Sequence, residues 1–324
     1  MNHTDINVAV LIPCHNEAAA LPYVVKGFQR VLPDARILIF DNNSTDDTMA
    51  VAESLGAEVR SEPQQGKGHV VRRMFADVEA DAYILVDGDG TYDPDSAPQM
   101  LQLLLSEHLD MVNARRVHSS DEAYRPGHQF GNRLLTGLVS RIFGQRTEDM
   151  LSGYRAFSRR FVKSFPALST GFEIETELTV HALSLDMPIG EIDTPYATRP
   201  TGSASKLNTF RDGMRILKTI LTLTKEERPL LVFSLLFFVL ATIAIVLAIP
   251  VVVEWLDTGL VPRFPTAILA ASTMLLAFLM LVSGIVLSSV THARRELRRL
   301  QYLQVAWLGP NFRDGAYDRR RKIS

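Results

Sequence analysis

The sequence is poor in cysteine, and Cys14 is the only one in 324 residues. A single cysteine cannot form an internal disulfide, and no positively charged leader with a short apolar core precedes the first apolar run. Both absences predict a cytosolic catalytic domain. We interpret Cys14 as a small buried or pocket-lining residue and not as a nucleophile.

The chain also has little net charge, because 34 Lys and Arg residues nearly balance 36 Asp and Glu residues and leave −2. This balance argues against a protein held on nucleic acid by a general basic surface, so we expect no nucleic-acid partner. Internal repeats and low-complexity segments are missing as well. The length allows one large domain or two modest ones.

Long uncharged hydrophobic runs occur only in the last third, at residues 230–253 and 264–290. Each exceeds the ~20 apolar residues that a helix needs to cross about 30 Å of hydrocarbon. We therefore predict a transmembrane hairpin within residues 229–291, with both termini on the cytoplasmic side of the inner membrane because basic residues flank it. Those flanking residues are Lys218, Lys225, Arg228, Arg294, Arg295, Arg298 and Arg299.

Residues 205–228, directly before the hairpin, have an amphipathic pattern. Leu207, Phe210 and Met214 recur at helical spacing, whereas Arg211 and Arg215 share another face. A cationic amphipathic helix beside a spanning helix is typical of the lipid headgroup layer, and a core-facing helix is the alternative. Residues 292–324 form the predicted cytoplasmic tail, whose basic run 319–322 is suited to anionic lipid.

Residues 1–204 form the predicted catalytic domain, in which strand-like and helix-like segments alternate. This alternation predicts an α/β fold, with a Rossmann-like, mostly parallel sheet and helices on both faces. The predicted strands are Val8–Ile12, Arg36–Phe40, Ala57–Arg60 and Ala82–Val86. The predicted helices are one that Asn16 caps and that runs to about Val31, a short helix from a Ser44–Asp47 cap to Gly56, and Gly68–Val78.

Two carboxylates follow the fourth predicted strand. Asp87 and Asp89 stand directly after Ala82–Val86, at the strand end where open α/β sheets bind ligands. Carboxylate oxygens suit a hard cation, so this end predicts a Mg²⁺ or Mn²⁺ site that also contacts substrate phosphates. An ordinary Asp/Gly-rich surface turn is the alternative.

Two other strand ends are polar as well, at Pro13–Glu17 and Asp41–Asp46. A carboxylate after the second strand can accept hydrogen bonds from a base or a ribose hydroxyl, and a helix N-terminus can face an anion. Lys67, between Gly66 and Gly68, can reach a diphosphate. Together the three strand ends predict a nucleotide pocket.

These motifs, in this order, resemble glycosyltransferase family 2, whose members are inverting enzymes of GT-A fold. Within it the chain is similar to the polyprenyl-phosphate glycosyltransferases, which include dolichyl-phosphate mannose synthase and the bacterial enzymes that charge undecaprenyl phosphate with glucose. The resemblance covers about residues 6–228. It includes Asp149–Phe157 with its Ser-Gly-aromatic-Arg motif and Tyr196–Leu207 with its Ser-Lys-Leu motif.

The resemblance implies inverting transfer of a sugar from a nucleotide-sugar donor, with UDP-glucose favoured, to polyprenyl (undecaprenyl) phosphate. The reaction would take place at the cytoplasmic membrane face and serve modification of cell-envelope glycans. Mg²⁺ or Mn²⁺ is the implied cofactor, and a homo-oligomer such as a tetramer is the implied assembly. Because a lipid phosphate is already an anionic nucleophile, stabilising the departing nucleoside diphosphate is the main catalytic demand.

The resemblance also implies roles for individual residues. The residues implied to bind the nucleotide are Pro13, His15, Glu17, Asp41, Lys67 and Asp87. Asp87 and Asp89 would hold the cation, and they count as catalytic together with Arg199 and Lys206. The residues implied to receive the acceptor phosphate are Arg115, Arg133, Arg199, Ser205 and Lys206. Glu173, Glu175 and Glu177 are comparable further candidates, for which an exposed helix face is the alternative.

The chain departs from the family pattern at three points. Thr91 stands where relatives of the mannose synthase kind often carry Gln, so the preferred sugar and metal can differ. His15 stands where an aromatic residue is common, which favours stacking on the base over acid/base catalysis. The spacing from Gly202 to Ser205 is one residue longer than in the family pattern.

Two other functions compete with this hypothesis. A strand followed by Asp-x-Asp-Gly-Thr also resembles haloacid dehalogenase-type phosphatases, with Asp87 as the phosphorylated nucleophile and Asp89 as the acid/base. That fold needs a later acidic pair after another strand, and Glu148–Asp149 does not follow a strand-like segment. The second alternative is a non-catalytic, membrane-anchored nucleotide-binding scaffold, against which the intact carboxylates count.

Overall fold

The structure is a computed structural model that describes residues 6–118, 148–171, 173–197, 218, 221–222 and 224–307. The chain forms two compact units. The first contains residues 1–220 and 298–324, and the second contains residues 221–297. Most of the predicted amphipathic segment 205–228 and the basic run 319–322 lie outside the described residues.

A seven-stranded sheet forms the centre of the first unit. Its strands are β1 (Val8–Cys14), β2 (Arg36–Asp41), β3 (Glu58–Ser61), β4 (Ala82–Leu85), β5 (Met111–His118), β6 (Arg155–Ser158) and β7 (Ile189–Tyr196). Their order is β3-β2-β1-β4-β6-β5-β7. Only β6 runs antiparallel to its neighbours within this sheet, so the prediction of a mostly parallel sheet is confirmed.

Helices cover both faces of this sheet, as the alternating pattern predicts. They are α1 (Leu21–Val31), α2 (Thr48–Ser54), α3 (Lys67–Asp77), α4 (Ala97–Ser106), α5 (Arg159–Ser164) and α6 (Ile174–Ser184). On one face α3, α5 and α6 pack against Leu11 and Tyr83, and on the other α1, α2 and α4 pack against Val10 and Ile84. Alternate residues of the same strands thus serve two separate cores.

The prediction that Asn16 caps the first helix is wrong. The backbone of Asn16 is left-handed, with φ of 53°, and α1 begins at Leu21. The Asn16 side chain instead accepts a hydrogen bond from the Thr45 backbone N–H at 2.7 Å, while its own N–H donates to Ser44 Oγ at 2.9 Å. Asn16 therefore ties the loop after β1 to the loop after β2, because an Asn tolerates this conformation.

His181 on α6 is buried against the rings of Phe161 and Phe165. Neither ring nitrogen has a hydrogen-bond partner within the described part of the chain. Burial, with repulsion from Arg298, lowers the pKa of His181 to about 3. The folded protein therefore keeps this imidazole neutral at a pH where the unfolded chain protonates it.

We expect this histidine to make folding stability pH-dependent. Its pKa is depressed in the folded state, so the unfolded chain binds the extra proton as pH falls below 6.5, and stability drops toward pH 3 by roughly 1 kcal/mol per unit. Thermal unfolding at several pH values checks this. His181→Leu should flatten the dependence in this window, and an unchanged slope would contradict the account.

Two long helices make up most of the second unit, α7 (Pro229–Thr258) and α8 (Phe264–Gln304). Both are long and apolar enough to cross a membrane, and they contain the two predicted runs. Only 6% and 17% of their most apolar windows are buried, unlike the core helices of a soluble protein. A Cβ on Gly284 would lie 2.7 Å from Phe233 Cβ, so this glycine permits close helix packing.

The last two turns of α8, from Arg298, and the residues after it belong to the first unit. Tyr302 Oη donates to Asp110 Oδ2 at 2.6 Å, and Trp307 Nε1 donates to the Leu109 carbonyl at 2.9 Å. Asp110 is fully buried and also accepts hydrogen bonds from Ser158 and Arg160. Tyr302 and Trp307 are therefore part of the fold around the sheet.

Candidate functional site

The carboxyl ends of β1, β2 and β4 meet at one edge of the sheet. Cys14 pairs with Asp41 across β1 and β2, and the Val86 N–H donates to the Leu11 carbonyl at 3.1 Å. A Cβ on Gly88 would lie 2.7 Å from Cys14 Sγ, so the turn after β4 packs directly on the end of β1. The three polar strand ends therefore lie side by side, and Cys14 is buried among them.

The end of β2 carries a carboxylate that is almost completely buried. Asp41 Oδ2 accepts from the Ser44 N–H at 3.2 Å, while Asp41 Oδ1 has no hydrogen-bond partner in the described part of the chain. His15 Nδ1 is buried without a partner in the same part. Glu17 is also buried, and its N–H donates to Thr48 Oγ1. Because an unpaired buried acceptor is costly, Asp41 is suited to a ligand that donates.

Lys67 links two carboxylates from different parts of the chain. Its Nζ donates to Asp87 Oδ1 and, at 2.5 Å, to Glu175 Oε1. The Lys67 and Glu175 side chains are each 8% exposed, whereas that of Asp87 is 30% exposed. A single buried ammonium group thus holds the end of β4 to the first turn of α6.

The charges in this cluster depend on one another. Burial lowers the pKa of the Lys67 amine, but Asp87 and Glu175 more than offset this, and the pKa is raised above its ordinary value. Burial also raises the pKa of Glu175, which the Lys67 charge opposes. Lys67 is therefore a permanently charged group beside the carboxyl end of β4.

Asp89 is held by the residue two positions after it. Its Oδ1 accepts hydrogen bonds from the Thr91 N–H at 3.1 Å and from Thr91 Oγ1 at 2.6 Å. Thr91 is one of the three positions where the chain departs from the family pattern, and its hydroxyl here orients Asp89. The Thr91 carbonyl in turn accepts from the Ala197 N–H at 2.9 Å, which joins this turn to the end of β7.

Gly153 forms the wall beside Asp87. A Cβ on this glycine would lie 2.3 Å from Asp87 Oδ2, which leaves no room for any side chain. The Gly153 N–H donates to Tyr92 Oη at 2.8 Å, and the Tyr92 ring packs edge-on against Tyr154 and Tyr196. The Ser-Gly-aromatic-Arg motif therefore shapes the space around the Asp87 carboxylate.

Arg155 of the same motif is a structural residue. It is fully buried and donates to the carbonyls of Met150 and Ser152 and to Thr179 Oγ1, at 2.7, 3.0 and 2.9 Å. Its planar fork fixes the turn that leads into Gly153. This explains why an arginine stands in the motif without reaching the strand ends.

The three glutamates around the start of α6 have different surroundings. Glu175 contacts Lys67, and Glu177 accepts from the N–H groups of Leu168 and Ser169 at 2.8 and 2.7 Å. Both are buried, so an exposed helix face is wrong for them. Glu173 accepts from the Gly171 N–H at 3.1 Å.

Glu177 acts on the site through the loop that it holds. A Cβ on Gly68 would lie 2.1 Å from the Ser169 carbonyl oxygen, and a Cβ on Gly66 would lie 2.2 Å from the Thr170 carbonyl oxygen. Only glycine fits at either position. The loop thus packs directly on the backbone at either side of Lys67. Residue spacing alone gave no indication of this contact.

The two arginines of β5 face different surroundings. Arg115 is ion-paired with Glu148 and, at 2.6 Å, with Asp193 on the neighbouring strand, and its side chain is 36% exposed. Arg116 makes a bidentate pair with Asp149 at 2.7 Å. Its guanidinium carbon lies 5.5 Å from the centre of the Tyr196 ring.

The structure therefore brings Arg116, and not Arg115, to the Tyr196 ring, which packs against Tyr92. Alternation along β5 was the available signal, because Ala114, two residues earlier, shares the core that contains Tyr92 and Tyr154. Four of the residues implied for the acceptor phosphate lie outside the described residues: Arg133, Arg199, Ser205 and Lys206.

Comparison with known proteins identifies the family. Residues 9–165 match the family model described as Glycosyl transferase family 2. Glycosyltransferase AglJ of Haloferax volcanii is 30% identical over 299 residues, which cover 92% of this chain and 98% of AglJ. This chain belongs to glycosyltransferase family 2. Membership excludes the phosphatase hypothesis and makes the protein a glycosyltransferase.

Two further relatives resemble this family 2 glycosyltransferase. Protein RfbJ of Shigella flexneri is 53% identical over 126 residues, which cover 39% of this chain and 98% of RfbJ. The dolichyl-phosphate hexose transferase of Haloferax volcanii is 26% identical over 227 residues, which cover 70% of this chain and 97% of that enzyme.

Solved structures confirm the GT-A fold of the glycosyltransferase. Glucosyl-3-phosphoglycerate synthase of Mycobacterium tuberculosis, in complex with Mn²⁺, UDP and glucosyl-3-phosphoglycerate, superimposes with a TM-score of 0.54. The match covers 68% of this chain and 81% of that chain, at 22% identity. At this identity the likeness concerns the fold.

The strand-end carboxylates of this glycosyltransferase fit a hard divalent cation. Asp87 and Asp89 supply oxygen donors, and the missing side chain of Gly153 leaves room beside Asp87 that a Cβ would fill. Among the described residues, no group of three His, Cys, Asp or Glu side chains is placed to hold a metal ion. Two carboxylates that share a cation with substrate phosphates are the usual arrangement for Mg²⁺.

Proposed function

We propose that this glycosyltransferase transfers a sugar from a nucleoside-diphosphate sugar to polyprenyl phosphate, with inversion at the anomeric carbon. The observation that carries the proposal is the convergence of Asp41, Lys67, Asp87 and Asp89 at one sheet edge. This arrangement offers acceptors for a nucleoside and positive charge for a diphosphate within one site.

The donor half of the proposal rests on the β1 and β2 ends. Asp41 Oδ1 accepts from the base or ribose, His15 stacks on the base, and Pro13 and Glu17 complete this wall. UDP-glucose is the favoured donor, supported by the mycobacterial synthase of the same fold, which is described in complex with Mn²⁺ and UDP-glucose.

Asp87 and Asp89 would hold the Mg²⁺ or Mn²⁺, which when bound neutralises charge on the departing diphosphate. The Lys67 ammonium group would add a second positive charge beside the oxygens of the departing diphosphate. An oxygen of the lipid phosphate attacks the anomeric carbon from the face opposite the nucleotide, and the bond from that carbon to the diphosphate oxygen breaks. No side chain needs to remove a proton, because the attacking phosphate is already ionised.

The acceptor half is supported by α7 and α8, which are long and apolar enough to cross a membrane, and by a relative named as a dolichyl-phosphate hexose transferase. We propose that both termini and the catalytic domain are cytoplasmic, that residues 205–228 lie at the lipid surface, and that the protein is a homo-oligomer. Undecaprenyl phosphate is the proposed acceptor. Arg133, Arg199, Ser205 and Lys206 remain predicted phosphate ligands.

Arg116 joins these residues as a proposed ligand of the lipid phosphate, in place of Arg115. Arg116→Ala should raise the KM for polyprenyl phosphate about tenfold or more, since a charge-assisted hydrogen bond contributes ~1.5–3 kcal/mol. Arg115→Ala should change this KM less than about twofold, because exposed ion pairs contribute little. Initial rates at varied lipid concentration check both.

Arg116→Lys controls for the loss of charge, and thermal unfolding controls for the loss of the Asp149 pair. A large KM effect for Arg115→Ala together with a normal KM for Arg116→Ala would reverse the assignment.

The proposed function is tested by incubating the full-length protein with UDP- and GDP-sugars, undecaprenyl phosphate and either Mg²⁺ or Mn²⁺. A glycolipid formed from UDP-glucose is the expected product. If no sugar is transferred to polyprenyl phosphate under any combination, while 3-phosphoglycerate or another soluble phosphate is glycosylated, the lipid acceptor is wrong.

A further inference from the structure

Lys67, Asp87 and Glu175 form one cluster of contacting charges, and Glu175 is the member that the proposed reaction does not use. It lies in the first turn of α6, its side chain is 8% exposed, and its carboxylate contacts Lys67 Nζ at 2.5 Å. Burying a carboxylate is costly unless it is paired. Because its described partner is Lys67, the role of the buried Glu175 carboxylate is to be sought in what it does to this lysine.

The contact matters because Lys67 and a divalent cation would compete for the same carboxylate. Lys67 Nζ already occupies Asp87 Oδ1. A cation that binds Asp87 must weaken this ion pair, and a buried lysine left without an anionic partner would oppose that exchange. Glu175 gives Lys67 a second anionic partner on the side away from solvent.

The geometry supports such an exchange. An ammonium group has three N–H donors, of which Asp87 and Glu175 take two. When Asp87 turns to the cation, Lys67 stays anchored by Glu175 with donors free for a diphosphate. The backbone on both sides of Lys67 is fixed by the 169–170 loop, so the lysine cannot follow Asp87 far.

We propose that Glu175 is a positioning residue that keeps Lys67 at the diphosphate site while Asp87 exchanges Lys67 for a divalent cation. This rests on the proposed role of Asp87 in cation binding and does not depend on the identity of the acceptor. It assigns a function to one of three neighbouring glutamates, and the other two hold backbone N–H groups instead.

The test is Mn²⁺ binding to the full-length protein without donor or lipid, read from the electron paramagnetic resonance signal of free Mn²⁺. Glu175→Gln leaves Asp87 as the remaining carboxylate partner of Lys67, so the Kd for Mn²⁺ should rise about tenfold, within the usual coupling of contacting residues. Lys67→Met removes the competitor and should lower that Kd. Glu173→Gln, on the same turn but without a contact to Lys67, should leave it unchanged.

Glu175→Asp separates the contact from the charge. It keeps the negative charge but is one methylene shorter, so it should behave like Glu175→Gln if the contact with Lys67 is what matters. A wild-type Kd for Glu175→Asp, or an unchanged Kd for Glu175→Gln, would overturn the proposal. Thermal unfolding of each variant shows that it is folded.

The outcome is separable from that of the proposed function. If Asp89→Ala also binds Mn²⁺ with the wild-type Kd, the cation site itself is wrong. If the Glu175 and Lys67 effects appear but no glycolipid forms, the positioning role stands and the acceptor assignment fails.

Discussion

Asp89→Ala should lower kcat for sugar transfer by about 10³-fold, because a cation that stabilises the departing diphosphate supplies several kcal/mol and about 1.4 kcal/mol is tenfold in rate. Asp89 is buried at the carboxyl edge of the sheet and held rigidly by Thr91. Loss of its carboxylate removes one of the two carboxylates that we propose hold the cation.

The effect is measured as initial rates at saturating donor and Mn²⁺. Asp95→Asn is the matched control. Asp95 follows Asp89 by a few residues and forms an exposed ion pair with Arg30, so this variant should keep wild-type activity. Normal turnover by Asp89→Ala, or an equal loss in Asp95→Asn, would remove the basis for placing the cation at the end of β4.

Gly153→Ala should leave the protein folded and lower its activity about 10²-fold or more. The new Cβ would lie 2.3 Å from Asp87 Oδ2 and 2.8 Å from its carboxyl carbon, so Asp87 must turn away. The fold can accommodate this, because the atoms that move belong to the end of one side chain. Displacing a reacting group by about 1 Å is sufficient for a loss of this size.

Gly56→Ala is the control for Gly153→Ala, because it should lower stability and leave activity unchanged. Gly56 has φ of 74° and no atom near its missing Cβ, so alanine there is strained by about 1 kcal/mol but is remote from the strand ends. We expect a lower melting temperature with wild-type activity for Gly56→Ala, and a wild-type melting temperature with low activity for Gly153→Ala. Similar activity of the two variants would contradict the contact with Asp87.

The sheet edge was predictable from the sequence for a topological reason. Parallel strands linked by helices end on the same side, so polar residues after β1, β2 and β4 had to meet once the alternation was recognised. Asp41 and Asp87 could therefore be selected before any distance was known. Asn16 was misassigned because its side chain serves the neighbouring loop and does not cap α1.

The choice between Glu173, Glu175 and Glu177 could not be made from the sequence. Every residue of α6 is buried, so the helix has no polar face whose periodicity would show which glutamate is directed at Lys67. The contact of Gly153 with Asp87 was equally hidden, since it joins two segments that are far apart in the chain. Local patterns carry no signal for such packing.

The central claim is tested most directly by one reaction of the full-length protein with radiolabelled UDP-glucose, polyprenyl phosphate and Mn²⁺, in which lipid-linked sugar and released UDP are measured together. The account predicts equal amounts of both, with the sugar inverted at its anomeric carbon. Release of UDP without lipid-linked sugar, or a product of retained configuration, would contradict it.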